Sequence, residues 1–320
     1  MFFEKSYTGL NQWWRYIIVF AAVAIGYCVG QIPLILAVYK SGGADALKQF
    51  QENPYFPDFG INLNMGLALL LIMFLGAFAA LYFIFKPIHQ REFRTLITPK
   101  NKVNWSKIFF SFFLWGGLVL AFEMVLYIID PVNFTFHFQW NTFIPLVLLC
   151  IFILPIQTST EEFIFRGYLM QGIGMGTGSK ITALIITSVL FGLIHSMNPE
   201  VQKFGFGTMQ IYYISAGLFL GIMTLMDDGL ELALGVHAAT NFTGAVFVGY
   251  EGAAIQTNSI IKTIEIDPNM MTIGFYITAI IFLFIVKIKY SWGSFRKLIE
   301  PVKKPVEKIA FEHLLDNPEI

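Results

Sequence analysis

Long apolar runs separated by short polar segments dominate the chain. They occupy residues 16–39, 64–85, 108–129, 143–171, 180–197, 208–226, 229–250 and 271–289. A helix that crosses a bilayer needs about 20 mostly apolar residues. The pattern therefore predicts an all-α polytopic membrane protein with about eight transmembrane helices. The fifth and sixth runs are short, and the fourth is long and polar toward its end. Tryptophans mark the boundaries: Trp13 and Trp14 precede the first run, Trp105 the third and Trp140 the fourth, while Trp292 follows the eighth. Interfacial indoles take such positions. The first run follows Lys5 and Arg15 and contains Ala22-Val23-Ala24, as a signal peptide would. It continues to Val38, past the roughly 7–15 residues of a signal core, and reads as a retained span.

Composition agrees with this reading. Of 320 residues, 56% are apolar and only 13% charged, against about 45–50% and about 25% in soluble domains. Lys and Arg together number 21, as do Asp and Glu, so no net field draws polyanions and a nucleic-acid partner is excluded. With the N-terminus inside, every Lys and Arg except Lys40, Lys48, Lys203 and Lys262 falls on the inner side or within inner segments. The positive-inside rule then places both termini in the cytoplasm, as expected of a multi-pass plasma- or inner-membrane protein. Cys28 and Cys150 lie in apolar runs and read as small buried hydrophobes. The loops 40–62 and 251–268 read as polar connectors, and the basic 86–107 loop as a topology determinant that touches anionic lipid.

Ionisable residues inside a membrane are costly and therefore informative. Up to residue 157 the spans hold a single exception, Glu123, which reads as an interior hydrogen-bonding residue or one that snorkels to the outer face. Beyond it the segment Gln157-Thr158-Ser159-Thr160-Glu161-Glu162-Phe163-Ile164-Phe165-Arg166 places three charges on one helix. His195 ends the fifth run, and His237 and Asn241 sit within the seventh. Residues four apart share a helix face, so Glu162 and Arg166 are positioned to pair, and His237 and Asn241 to project together. Glu161 is rotated by about 100° from Glu162, leaving one carboxylate for chemistry and one for structure. For these groups to meet at one depth, the fourth helix must continue to about Gln171, bent near Pro155. His89, His137 and His313 fall in loops or the tail and read as solvated.

Glu161-Glu162-x-x-x-Arg166, Phe191-x-x-x-His195 and His237-x-x-x-Asn241, in this order on successive membrane helices, resemble the CPBP family. These are the CAAX prenyl endopeptidases and bacteriocin-processing enzymes, also called Abi proteins, which are intramembrane proteases. The resemblance covers roughly residues 140–250 and implies a catalytic core in helices 4–7. Residues 1–139 would form helices 1–3 with their basic cytoplasmic loop, and 251–320 the last helix and a cytoplasmic tail. It further implies that Glu161 and His195 activate a water for attack on a peptide carbonyl, and that His237 and Asn241 stabilise the oxyanion. Glu162 and Arg166 would hold the helix face so that Glu161 points inward. The cofactor question stays open between none and a single divalent metal such as zinc, whose ligands would be Glu161, His195 and His237. The chain lacks the His-Glu-x-x-His signature of zincins.

The implied activity is an intramembrane endopeptidase, glutamate-type or metal-dependent, acting on a membrane-associated or C-terminal CAAX-like peptide or lipidated protein. The alternative is a non-proteolytic immunity or scaffold protein built on the same fold. A proton-coupled transporter is a weaker reading, because matched repeats with broken helices are lacking.

Overall fold

The computed structural model of the protein describes residues 2–304. His313 and the last tail lysine, Lys308, lie outside the described residues. Eleven α-helices are present among these residues: α1 (Trp13–Glu52), α2 (Leu63–His89), α3 (Trp105–Ile129), α4 (Trp140–Phe152), α5 (Leu154–Glu162), α6 (Met170–Thr177), α7 (Lys180–Ile194), α8 (Pro199–Phe204), α9 (Phe206–Asp227), α10 (Glu231–Val246) and α11 (Pro268–Lys289). A π-helical stretch, Phe163–Leu169, joins α5 to α6, so residues Trp140–Thr177 form one near-continuous element of 38 residues. Seven elements are long and apolar enough to cross a membrane. Their surfaces bear exposed Ile25, Phe83, Phe113 and Phe284, the lipid-facing side chains of a multi-pass integral membrane protein.

The expected span that is missing from these seven is the seventh run, 229–250, which forms α10. At 16 residues it covers about 24 Å, short of the hydrocarbon thickness of about 30 Å, and it is almost wholly buried within the bundle. Helix α1 runs further than its apolar pattern suggests, through residues expected as a connector. It breaks at Gly42 and Gly43, where Gly43 takes a φ of 69°, and then resumes. The other connector, 251–268, contributes a strand.

Helix order brings both described termini to the same end of the bundle. At this terminus end the backbone N–H of Leu10 donates to the His89 carbonyl at 2.9 Å. Lys107 pairs with Asp227 at 2.6 Å, and Lys297 with Asp228 at 2.8 Å. The opposite end carries a small sheet of β1 (Phe134–Phe136), β2 (Val248–Tyr250) and β3 (Ile261–Thr263), in the order β1-β3-β2. Strand β1 runs antiparallel to β3, with Thr135 opposite Lys262, and β2 runs parallel to it, with Gly249 opposite Lys262. Open sheet edges are not tolerated in hydrocarbon, so this sheet end lies at a membrane boundary.

Close helix approaches are bought with glycine. A Cβ on Gly26 of α1 would lie 2.4 Å from the Gly76 carbonyl oxygen of α2, and one on Gly217 of α9 would lie 2.9 Å from the Cα of Ser188 in α7. The second approach seats α7, which ends at His195, firmly against α9.

Two residues differ from their expected environments. His89 is fully buried rather than solvated. Its Nδ1 meets the Leu10 carbonyl at 2.7 Å and its Nε2 the Tyr168 hydroxyl at 2.8 Å, because the N-terminal segment folds back over the end of α2. Cys28 is exposed on α1 whereas Cys150 is buried, so only the second is a core residue. Within the basic loop, Arg91 is buried and donates to Gln171 Oε1 at 3.1 Å. Burial lowers the Arg91 guanidinium to about 10.

Candidate active site

The segment expected to carry the chemistry is helical throughout, with its interruption at Ile153, directly before Leu154-Pro155. Proline has no N–H to donate and crowds the preceding turn, which accounts for the bend at this place. Beyond it, Gln157, Glu161 and Glu162 are all buried. The π-helix begins immediately after Glu162; such distortions recur at functional sites.

Helix α7 ends at His195 because Pro199 follows closely. Asn198, the residue before it, is extended at φ −67° and ψ 146°, as pre-proline residues prefer. The His195 Nδ1 faces the Phe191 carbonyl at 2.6 Å, and its ring stacks on Tyr213 of α9 at 4.6 Å. Gln210 of α9 donates to the Gly192 carbonyl at 2.9 Å and to the Ser196 hydroxyl at 3.1 Å. The imidazole is thereby fixed with Nε2 toward α5.

His237 on α10 sits between the two neighbouring carboxylates. Its Nδ1 is 2.7 Å from Glu162 Oε1, and its Nε2 is 3.6 Å from Glu161 Oε2. Glu162 also accepts from Arg166 Nη1 at 2.7 Å, in a pair with no exposed surface at all. Arg166 is held further by the Gly217 carbonyl at 3.3 Å and lies 4.2 Å above the Phe191 ring. The expected Glu162–Arg166 pair is thus present, and Glu162 has a further partner in His237 that spacing within one helix could not reveal.

Glu162 Oε2 is buried without a hydrogen-bond partner too; Glu161 differs in lining the cavity and in what its oxygens face. Its Oε1 accepts from Gln157 Nε2, and Gln157 Oε1 in turn accepts from Asn241 Nδ2 at 2.9 Å. Its Oε2 is buried, has no hydrogen-bond partner within the protein, and faces His195 Nε2 at 4.0 Å as well as His237 Nε2. All four expected residues, Glu161, His195, His237 and Asn241, therefore converge. They line a cavity of about 710 Å³ that extends from this cluster toward the sheet end. Gln157 and Tyr213, which sequence reasoning passed over, belong to the same constellation. Gln157 lies four residues before Glu161, on its helix face, and that spacing was a readable signal.

Two imidazoles and a carboxylate are chemically suited to zinc. In a tetrahedral site with bonds of about 2.1 Å, ligand atoms stand about 3.4 Å apart, closer than the 3.6 and 4.0 Å found here. Among the described residues no group of three or more His, Cys, Asp or Glu side chains is arranged to hold a metal ion. The trio as placed does not fit one.

Residues 139–243 match the family model described as type II CAAX prenyl endopeptidase Rce1-like. The matched stretch begins one residue before α4 and ends near the end of α10, enclosing every residue of the cluster. The uncharacterized protein YyaK of Bacillus subtilis (strain 168) is 31% identical over 248 residues, 77% of this chain and 81% of YyaK. No solved structure matches. On these grounds the chain belongs to the CPBP family, the family of the type II CAAX prenyl endopeptidases.

Proposed function

We propose that the protein is an intramembrane endopeptidase that hydrolyses a peptide bond of a membrane-associated or C-terminal, CAAX-like substrate. The observation that carries this reading is the bare Oε2 of Glu161, buried in the cavity wall and flanked by two imidazole Nε2 atoms. A buried carboxylate oxygen without a partner calls for a ligand or water to satisfy it. Both imidazoles have Nδ1 engaged, His195 with a carbonyl and His237 with Glu162. In the neutral form each then turns an Nε2 lone pair toward the same point. A water there donates one hydrogen to Glu161 and one to an imidazole, leaving its own lone pairs for a carbonyl carbon.

As the water oxygen attacks, Glu161 takes its proton, and the proton passes to the leaving amine as the tetrahedral intermediate collapses. His195 aligns the water and relays the proton. Asn241 Nδ2 spends one hydrogen on Gln157 and retains a second for the oxyanion. His237 donates there when protonated, its imidazolium stabilised by Glu162. Arg166 neutralises Glu162 and holds the helix so that Glu161 faces the cavity. No step needs a metal at this cluster.

In the membrane, the terminus end faces the cytoplasm. It carries Lys107, Lys180, Lys297 and Arg91, as the positive-inside rule requires. The sheet end lies outside.

The test compares the purified chain in proteoliposomes with its Glu161→Ala and His195→Ala variants on membrane-anchored peptides. Cleavage by the parent chain and loss of at least about 100-fold in both variants supports the reading. Equal cleavage by all three, or a cellular phenotype that both variants preserve in full, overturns it in favour of a non-proteolytic immunity or scaffold role.

A further inference from the structure

The cavity is one-sided in charge. Six carboxylates line it, Glu123, Asp130, Glu161, Glu200, Glu265 and Asp267, and no Lys or Arg does, among the described residues. A low-dielectric cleft lined by one sign of charge focuses its field and concentrates ligands of the opposite sign. Five of these groups stand apart from the water-activating cluster, and one of them, Glu200 at the start of α8, is built into the wall.

Glu200 is 6% exposed. Its Oε1 accepts from the Ala254 backbone N–H at 2.7 Å and from the Tyr250 hydroxyl at 3.4 Å. Its Oε2 is buried without a hydrogen-bond partner. The nearest basic residue along the helix, Lys203, is turned away and donates to the Glu251 carbonyl at 2.8 Å. Burial raises the Glu200 carboxyl above the ordinary range, against the pull of its hydrogen bonds. A carboxylate placed this way is anchored through one oxygen, with the Tyr213 hydroxyl close enough to pull on it as well, while its other oxygen faces no Lys or Arg among the described residues.

Building on the endopeptidase reading, we infer that Glu200 is the specificity determinant of this cavity and seats a cationic side chain, Lys or Arg, of the peptide being cleaved. Glu200 stands five positions after His195, a reach of at most about 18 Å, so the cation lies within about five residues of the scissile bond in an extended peptide. Asp130, Glu265 and Asp267, toward the sheet end, extend the acidic field along the route to Glu200. A free C-terminal carboxylate finds no Lys or Arg in this wall to receive it. Among the substrates open to the reaction, an internal bond within about five residues of a basic side chain is favoured.

The experiment uses apolar Leu/Ala peptides carrying a single Lys, scanned along the peptide, each paired with its norleucine counterpart of equal length. Cleavage by the full-length chain in proteoliposomes and binding of fluorescent peptides to the Glu161→Gln variant are both measured. The expected result is a Lys-over-norleucine preference of at least about tenfold at one position, in cleavage and in binding. It should collapse toward unity in Glu200→Gln, which keeps the acceptor for Ala254 and Tyr250 and removes the charge. Because the preference is a ratio taken within one variant, a general loss of activity cancels. No preference in the wild-type chain, or an equal preference in Glu200→Gln, overturns the inference. If no peptide is cleaved, the endopeptidase reading fails and binding alone decides the role of Glu200. If cleavage depends on Glu161 and the preference is absent, the enzyme reading stands and this one falls. A Glu200→Gln chain that does not fold leaves the wild-type preference, in cleavage and binding, as the deciding result.

Discussion

The two ends of the bundle are built to opposite rules. The terminus end is cross-linked by ion pairs: Lys107 with Asp227, Lys297 with Asp228 and, deeper, Arg166 with Glu162. Toward the sheet end the same helices part around a cavity of about 710 Å³ whose carboxylates face no Lys or Arg. The boundary between the two regimes passes between two consecutive residues. Glu162 is tied through Oε1 to both Arg166 and His237 and stays out of the cavity, whereas Glu161 lines the cavity and turns a bare Oε2 toward two imidazoles. A packed, cross-linked half provides the rigid platform that holds reactive groups in place, and a hollow half admits what they act on.

The sharpest structural way to break this contrast is Arg166→Leu. Removing one partner of a fully buried pair strands the other, at about 3–5 kcal/mol. Thermal unfolding in detergent should show a large drop in melting temperature, and an unmoved melting temperature would remove the platform from the account. Asn241→Ala acts on the other side of the boundary. Loss of one oxyanion donor should lower kcat by about 10²–10³ with KM little changed, and a KM effect alone would reassign Asn241 to substrate binding. Smaller still is Gly76→Val, at the α1–α2 crossing and not itself part of the cavity lining. Its side chain would meet the Gly26 carbonyl, since even a Cβ lies 2.1 Å from that oxygen, and overpacking of this kind costs about 1–3 kcal/mol. Stability should fall while kcat per folded molecule is retained.

Much of this was legible before any coordinates, for identifiable reasons. Charge is so costly in a span that Glu161, Glu162, Arg166, His195 and His237 stood out against their apolar surroundings, and helical spacing paired Glu162 with Arg166 correctly. The same reasoning required a long, bent fourth helix, which the element Trp140–Thr177 with its interruption at Ile153 provides. Contacts between helices were beyond its reach. Spacing within α10 could not show that His237 Nδ1 meets Glu162, nor that Gln157 bridges Glu161 to Asn241. His89 was misjudged because position in a loop implies solvent only if nothing folds over it, and here the N-terminal segment does. Glu200 escaped notice because it lies outside the apolar runs, where a carboxylate is unremarkable until its burial is known. The sheet was hidden because its strands are three residues each, too short for an alternating pattern to register.

The central claim is that two neighbouring carboxylates on one helix divide the labour, Glu161 performing chemistry and Glu162 holding structure. The most direct measurement compares Glu161→Gln with Glu162→Gln, recording kcat on a cleavable membrane peptide and melting temperature on the same preparations. The account predicts that Glu161→Gln loses about 10²–10⁴ in kcat with its melting temperature unmoved, while Glu162→Gln melts well below the parent chain. A folded Glu161→Gln chain that retains the parent kcat would contradict it.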